Sequence, residues 1–280
     1  MREGTSVRNL FAANWFCLRR QKAFWAAALF LALYGVFEAV GLFRQGTGEL
    51  SDGLFAGVTF LGAVLAVFCS FCLGSEYQEG TLRNKVAAGY RRSRIYLAYL
   101  TSGLAGGLMI WCAYLLGYLA AGIPLMGTQG VRWTEAAGGM LGILLLLLVY
   151  VALYTCLGSL CHSKAAGTAA AILLAFAMLF GGLFLYARLD EPPVYPDKYT
   201  QVEGQTVLVP GEENPYYLRG TERKVYEILY DLLPDGQGMQ LLDEAPDSPQ
   251  RMGGQAGYAL LLAGGATALG LGCFRKKDLR

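Results

Sequence analysis

The stretch Ala136-Ala-Gly-Gly-Met-Leu-Gly-Ile-Leu-Leu-Leu-Leu-Leu-Val-Tyr-Val-Ala-Leu-Tyr-Thr-Cys-Leu-Gly158 carries no charged side chain. As a helix rising 1.5 Å per residue it covers about 34 Å, enough to cross a hydrocarbon core about 30 Å thick. Five more stretches are similarly long and apolar, 23–43, 54–74, 99–121, 165–187 and 254–274, with Glu38 the one charged side chain among them. Composition agrees. Apolar residues make up 55% of the 280 and charged residues only 16%, against about 25% in a soluble domain. So little charge cannot cover a water-facing surface. The first stretch is too long for a cleavable signal, and no small-residue cleavage site follows it. A net charge of +2 is too small for a nucleic-acid footprint. None of the seven cysteines (17, 69, 72, 112, 156, 161, 273) lies in the polar stretch 188–253, which argues against a disulfide framework.

The fold class read from this is an all-α integral membrane protein. It has six transmembrane helices, an N-terminal interfacial helix and a large external loop between helices five and six. The chain divides into an interfacial segment 1–22, five spans over 23–187 with a polar loop at 75–95, an external loop 188–253, and a sixth span with a basic tail over 254–280.

Lysine and arginine assign the sides. The N-terminal arm (Arg2, Arg8, Arg19, Arg20, Lys22), the loop after span two (Arg83, Lys85, Arg91, Arg92, Arg94), Lys164 and the tail (Arg275, Lys276, Lys277, Arg280) fall on one side. The two short loops opposite hold only Arg44 and Arg132. Both termini are therefore expected in the cytoplasm. The segment 188–253, with 13 acidic and 6 basic residues and eight of the nine prolines, is expected outside. Within it, Thr221 reads as an N-cap and Val225, Ile228, Leu229 and Leu232 as an apolar helical stripe that Pro234 ends. This predicts an amphipathic helix resting on the membrane or on the bundle. Before span one, Val7, Leu10, Phe11, Trp15 and Leu18 share a face with Arg8, Arg19 and Arg20 off it, a pattern suited to the inner headgroup layer. Packing onto protein is disfavoured, since no cytoplasmic domain is evident.

Enzyme chemistry is not indicated. There is no GxxxxGK[ST], HExxH or GxSxG, and Gly46-x-Gly48 fails as a dinucleotide fingerprint at Ser51. Cys69 and Cys72 form a CxxC inside an apolar span and read as small buried residues. His162, the only histidine, makes neither a triad nor a metal site. Glu38 is the one ionisable residue within a span, about one turn from its outer end. A coupled carrier would need charged or polar groups near the midplane, and that region holds Leu, Ala, Gly, Phe and Val. Energy for any transport is expected from another chain. The pairs Gly53/Gly57, Gly103/Gly107, Gly138/Gly142 and Gly253/Gly257 allow close helix approach, within one bundle or across a dimer seam.

The loop after span two runs Gly74-Ser-Glu-Tyr-Gln-Glu-Gly-Thr-Leu-Arg-Asn-Lys-Val-Ala-Ala-Gly-Tyr-Arg-Arg-Ser-Arg94. Ser75 and Gln78 are spaced as a capping box. Thr81 can cap a helix over 82–88 that Gly89 ends. Leu82 and Val86 share its apolar face, flanked by Arg83 and Lys85. Spacing alone leaves two readings open: a docking element for a cytoplasmic partner, or a loop whose charges only set topology.

Glu76, the run Glu79-Gly80-Thr81-Leu82-Arg83 and the following Arg-Ser-Arg-Ile-Tyr resemble the signature loop of type-2 ABC exporter permeases. The order of basic interfacial helix, six spans and large external loop before span six is similar as well. So is the tail Phe274-Arg-Lys-Lys-Asp-Leu279. Asn214-Pro-Tyr-Tyr-Leu-Arg-Gly and Leu233-Pro-Asp-Gly-Gln-Gly-Met-Gln resemble a bacterial branch of the family. The resemblance implies a membrane path formed by this chain and an ATP-binding ATPase on a separate chain. That ATPase would dock on a coupling helix, with Glu79, Gly80, Thr81 and Arg83 carried over and Glu76, Leu82, Lys85 and Val86 beside them. It further implies a second permease, identical or related, a plasma-membrane location and no cofactor in this chain. Glu135-Ala-Ala resembles the start of an importer coupling motif, but Leu141 stands where its glycine belongs.

The expected function is the permease subunit of an ABC exporter working by alternating access. The rivals are a sensor or assembly subunit acting through the external loop, and a stand-alone carrier. The apolar side of 82–88 is expected to enter a groove on the ATPase, with Arg83 and Lys85 on acidic rim residues.

Overall fold

Each of the six apolar stretches is a helix in the computed structural model, which describes residues 7–46, 48–129, 131, 133–161, 163–202, 205–242 and 249–276. Among these residues the elements are α1 (Val7–Arg20), α2 (Lys22–Gln45), α3 (Val58–Gln78), α4 (Thr81–Ala87), α5 (Arg92–Met126), α6 (Trp133–Leu160) and α7 (Lys164–Leu189). They continue with β1 (Lys198–Val202), β2 (Gln205–Val209), α8 (Gly220–Leu232), α9 (Pro234–Gln240) and α10 (Pro249–Lys276). The six long helices α2, α3, α5, α6, α7 and α10 are apolar enough to cross a membrane, and the helical class is as expected. The segment after α7 adds an antiparallel hairpin, Lys198 opposite Val209, which the sequence did not signal. Arg2, Arg132, His162, Lys277 and Arg280 lie outside the described residues.

The second span starts later than expected. Residues 50–57 form turns rather than the first turn of a helix at 54, and they fold into the bundle. The Tyr118 hydroxyl donates to Leu50 O at 2.9 Å and the Tyr114 hydroxyl to Gly53 O. Backbone at membrane depth must have its polar groups satisfied internally, and these two phenols do so. Gly53 and Gly57 lie against the Tyr118 and Tyr114 rings, where a Cβ would collide. This glycine pair therefore serves packing inside the chain, as do Gly103 and Gly107 against Val151, Leu147 and Leu65.

Close backbone approach also sets the longest helix contact. A Cβ on Gly35 of α2 would meet the Tyr114 carbonyl and the Tyr118 N–H of α5, and one on Gly117 would meet Ala32. Small residues let two helices approach at backbone distance where lipid offers no hydrophobic drive. The main core runs through the middle of the bundle, with Leu61, Leu65, Phe68, Ile110, Val149 and Val151 essentially inaccessible.

The interfacial face expected for α1 is split. Leu10, Asn14 and Leu18, spaced four apart, are buried where α1 packs on α5. Phe11 and Trp15 remain half-buried and stack at 6.0 Å. The near ends of the spans supply the packing surface that a separate domain would otherwise have provided.

Candidate functional site

Residues 74–91 form a platform at the end of the bundle where α1, α3, α4 and α5 meet. Gly80 precedes α4 with φ 68°, a left-handed conformation that glycine adopts without steric cost. It occupies the cap position expected for Thr81. The Thr81 hydroxyl instead donates back to Glu76 Oε2 at 3.2 Å. At the other end, Gly89 N–H donates to Val86 O and Tyr90 N–H to Lys85 O, with Gly89 at φ 87°. These are the two bonds of a Schellman stop, with the glycine in its left-handed position. The Ser75–Gln78 capping box does not form, because α3 continues through Gln78. The Ser75 hydroxyl donates to Cys72 O at 3.2 Å.

The side chains of α4 point two ways. Leu82 is 1% exposed and packs with Leu10, Leu73, Ile95, Tyr96 and Phe274, with Val86 and Tyr90 at the edge. Burying a leucine contributes about 1.5–3 kcal/mol. Lys85 turns inward too. Its Nζ lies 2.7 Å from Glu76 Oε1 and 2.6 Å from Oε2. It donates to Asn14 Oδ1 at 2.8 Å and to the Tyr99 hydroxyl at 3.0 Å. The Tyr99 hydroxyl also donates to Glu76 Oε2. One ammonium thus ties together α1, α3, α4 and α5.

Three of the residues expected at the contact are engaged within the chain itself. Leu82 does not present itself to a partner, because its own chain covers it. Lys85 cannot meet an acidic rim, because its charge is spent on Glu76. Glu76, itself buried, holds α4 in place instead of facing out. What α4 and its flanks do present are Gln78, Glu79, Arg83, Asn84, Ala87 and Ala88, all exposed. Asn14 and Tyr99 complete the buried network, and the sequence reading missed both. Asn14 had one signal, a polar residue within the apolar face of α1. Cys72 Sγ–H donates to Gln21 Oε1 at 3.2 Å, and Cys69 is buried beside it.

At the opposite end, α8 begins at Gly220 with Arg219 at its cap, so Thr221 lies inside the helix. The stripe falls on its open side. Val225 is 49% exposed, Ile228 51% and Leu229 46%, while Leu232 is half-buried. Burial against the bundle, one of the two sites expected for the stripe, is thus not what these three residues do. The buried residue is Tyr230, whose ring lies 6.4 Å from that of Tyr186 on α7. Pro234 ends α8 and opens α9 at its first turn, where a missing N–H costs nothing. Pro234–Gly238 are all buried, against α3, α6 and α7. Gln237 Nε2 donates to Asp231 O at 2.6 Å and Gln240 Nε2 to Asp231 Oδ1 at 2.9 Å.

Six membrane-length helices, a small helix locked against one end and a short buried helix at the other define a multi-pass membrane protein. The chain belongs to the ABC-2 type transporter family, whose model matches residues 5–193, from the start of α1 to just past α7. None of the curated proteins compared with the chain matches it.

Proposed function

We propose that this chain is the permease subunit of an ABC exporter in the plasma membrane, with both termini cytoplasmic, and that a separate ATPase docks on α4. The supporting observation is the locking of α4. Leu82 and the Lys85–Glu76 pair fix it to α1, α3 and α5, so a push on its exposed side is transmitted to three helices at once. Glu79, Arg83, Asn84 and Ala87 form the docking surface. Arg83 supplies the charged contact that Lys85 does not. Two permeases and two ATPases make the working unit, and ATP-driven closure of the ATPases switches the spans between inward and outward access. A permease can shift only as far as the two ATPase states bind it differently. The basic flanks of the spans support the orientation.

Co-purification and site-directed labelling test this together. In a cysteine-free background, an impermeant reagent should label a cysteine at Gly211 and miss one at Arg91. Arg83→Glu should lower ATPase capture and abolish stimulated hydrolysis in reconstituted membranes while insertion stays normal. Capture and stimulation at the wild-type level would leave α4 as an anchor and favour a sensor or assembly subunit.

A further inference from the structure

We propose that Asp235, together with Tyr150 and Tyr154, forms a proton-binding site that controls whether α9 stays seated in the bundle. The inference is independent of the coupling reading. The seat itself is close-fitting. A Cβ on Gly182 of α7 would lie 3.3 Å from the Gly236 N–H nitrogen and 3.4 Å from Asp235. One on Gly238 would lie 3.3 Å from Val58 of α3 and 3.8 Å from Leu146 of α6. Backbone thus packs on backbone and side chain with no room for a shell of water.

Into this seat α9 carries a carboxyl. Asp235 is 7% exposed, Tyr150 0% and Tyr154 1%. The Tyr150 hydroxyl comes close enough to act on the Asp235 charge. Even so, Asp235 Oδ2 and both phenol oxygens have no hydrogen-bond partner among the described residues. The two rings stack at 6.1 Å and 7°, which holds their hydroxyls on one side of α6. The titratable groups around the carboxyl are Tyr150 and Tyr154 of α6, Cys69 of α3 behind Tyr154, Tyr230 and Asp231 of α8, and Tyr186 of α7 beyond Tyr230. Among the described residues, no lysine, arginine or histidine acts on the Asp235 carboxyl. An ionised carboxylate here is stripped of water and has no cation in return. Adding a proton from the solution at this end removes the charge and supplies an O–H donor where acceptors outnumber donors.

Burial pushes the Asp235 carboxyl up from 3.8 to about 6, and the Tyr150 hydroxyl pulls it part of the way back. A raised carboxyl fixes the sign. The seated helix binds the proton more tightly than a released one does. The advantage of seating is complete below 3.8 and is lost as pH rises through about 6. Across that window the seating equilibrium changes by about a hundredfold. At neutral pH α9 is held by packing against an electrostatic penalty, and release of the segment accompanies loss of the proton.

Backbone hydrogen exchange of residues 234–240 in the full-length protein, in lipid nanodiscs without an ATPase, tests the site over roughly pH 4.5 to 8. After correction for intrinsic rates, protection in the wild type should fall by up to about a hundredfold through pH about 6. Asp235→Asn, neutral at every pH, should show no such step. Tyr150→Phe removes the group that favours the ionised form and should move the midpoint to higher pH. A flat wild-type profile, or a step that persists in Asp235→Asn, overturns the proposal. An unmoved midpoint in Tyr150→Phe overturns the assignment of the site to these residues. Because no ATPase is present, none of these outcomes depends on what docks at α4.

Discussion

Glu76 and Asp235 are equally buried, each 7% exposed, yet they stand at opposite ends of the bundle in opposite circumstances. Glu76 receives Lys85, Tyr99 and Thr81, so its charge is matched within hydrogen-bond distance by groups from two other helices. Asp235 faces two phenols that leave its Oδ2 unpartnered, and among the described residues no cation acts on it. Burial alone therefore decides little, and the partner decides what a buried carboxylate does. A matched charge makes a stiff joint, because moving either partner strands the other. An unmatched carboxyl makes a seat whose hold depends on a proton. If an ATPase docks on α4 as proposed, the stiff joint lies where its load is applied, and the yielding seat lies at the other end of the bundle.

The largest test of this contrast is Lys85→Ala. It strands a buried carboxylate, which costs about 3–5 kcal/mol, and it should lower thermal stability and detach α4. The apolar pair Glu76→Leu with Lys85→Met should recover most of that loss, since well-packed apolar replacements of a buried ion pair are often near neutral. If the single variant is as stable as wild type, the joint is not held by the pair. The second effect is smaller and of opposite sign. Asp235→Asn removes a charge that has no partner and should stabilise the protein by about 2–3 kcal/mol near neutral pH, with no gain in acid. Thermal unfolding at both pH values reads this, and destabilisation at neutral pH would make the two carboxylates alike. The smallest effect is expected for Ile228→Ala, within about 0.5 kcal/mol, because its half-exposed side chain has little of its own chain to lose. A loss of several kcal/mol in the same unfolding assay would mean that the open side of α8 is covered.

The spans were legible because a run of about 20 apolar residues has few alternatives to a membrane helix. Gly89 marked the end of α4, since left-handed positions favour glycine so strongly, whereas the start was read at Thr81 and lies one residue earlier, with Gly80 as the cap. Periodicity also showed that Leu82 lies on an apolar face. It could not show whose surface covers that face, because the residues that do so, Leu10 and Phe274 among them, come from distant parts of the chain. Lys85 misled for the same reason: a lysine beside an arginine on a polar loop reads as solvated until its acid and its asparagine are found from other helices. Val225, Ile228 and Leu229 made the converse case, a stripe expected on the membrane or on the bundle whose three residues stay open rather than packed on the bundle. Asp235 was hidden by its neighbours, because Pro-Asp-Gly reads as a turn and nothing local says that the turn is drawn into the core.

The α4 platform also carries an order of events. Its apolar cluster needs Phe274 beside Leu82, and Arg92, just after α4, donates to the carbonyl of Arg275, 183 residues further on. At about 5–20 residues per second, roughly 10–40 s of synthesis separate those two partners. Until the last helix has been made and threaded into the bilayer, the proposed docking surface has no floor. A nascent or truncated chain thus offers nothing firm to bind, and if another subunit docks here as proposed, its recognition of this surface doubles as an inspection of whether the whole bundle has been assembled.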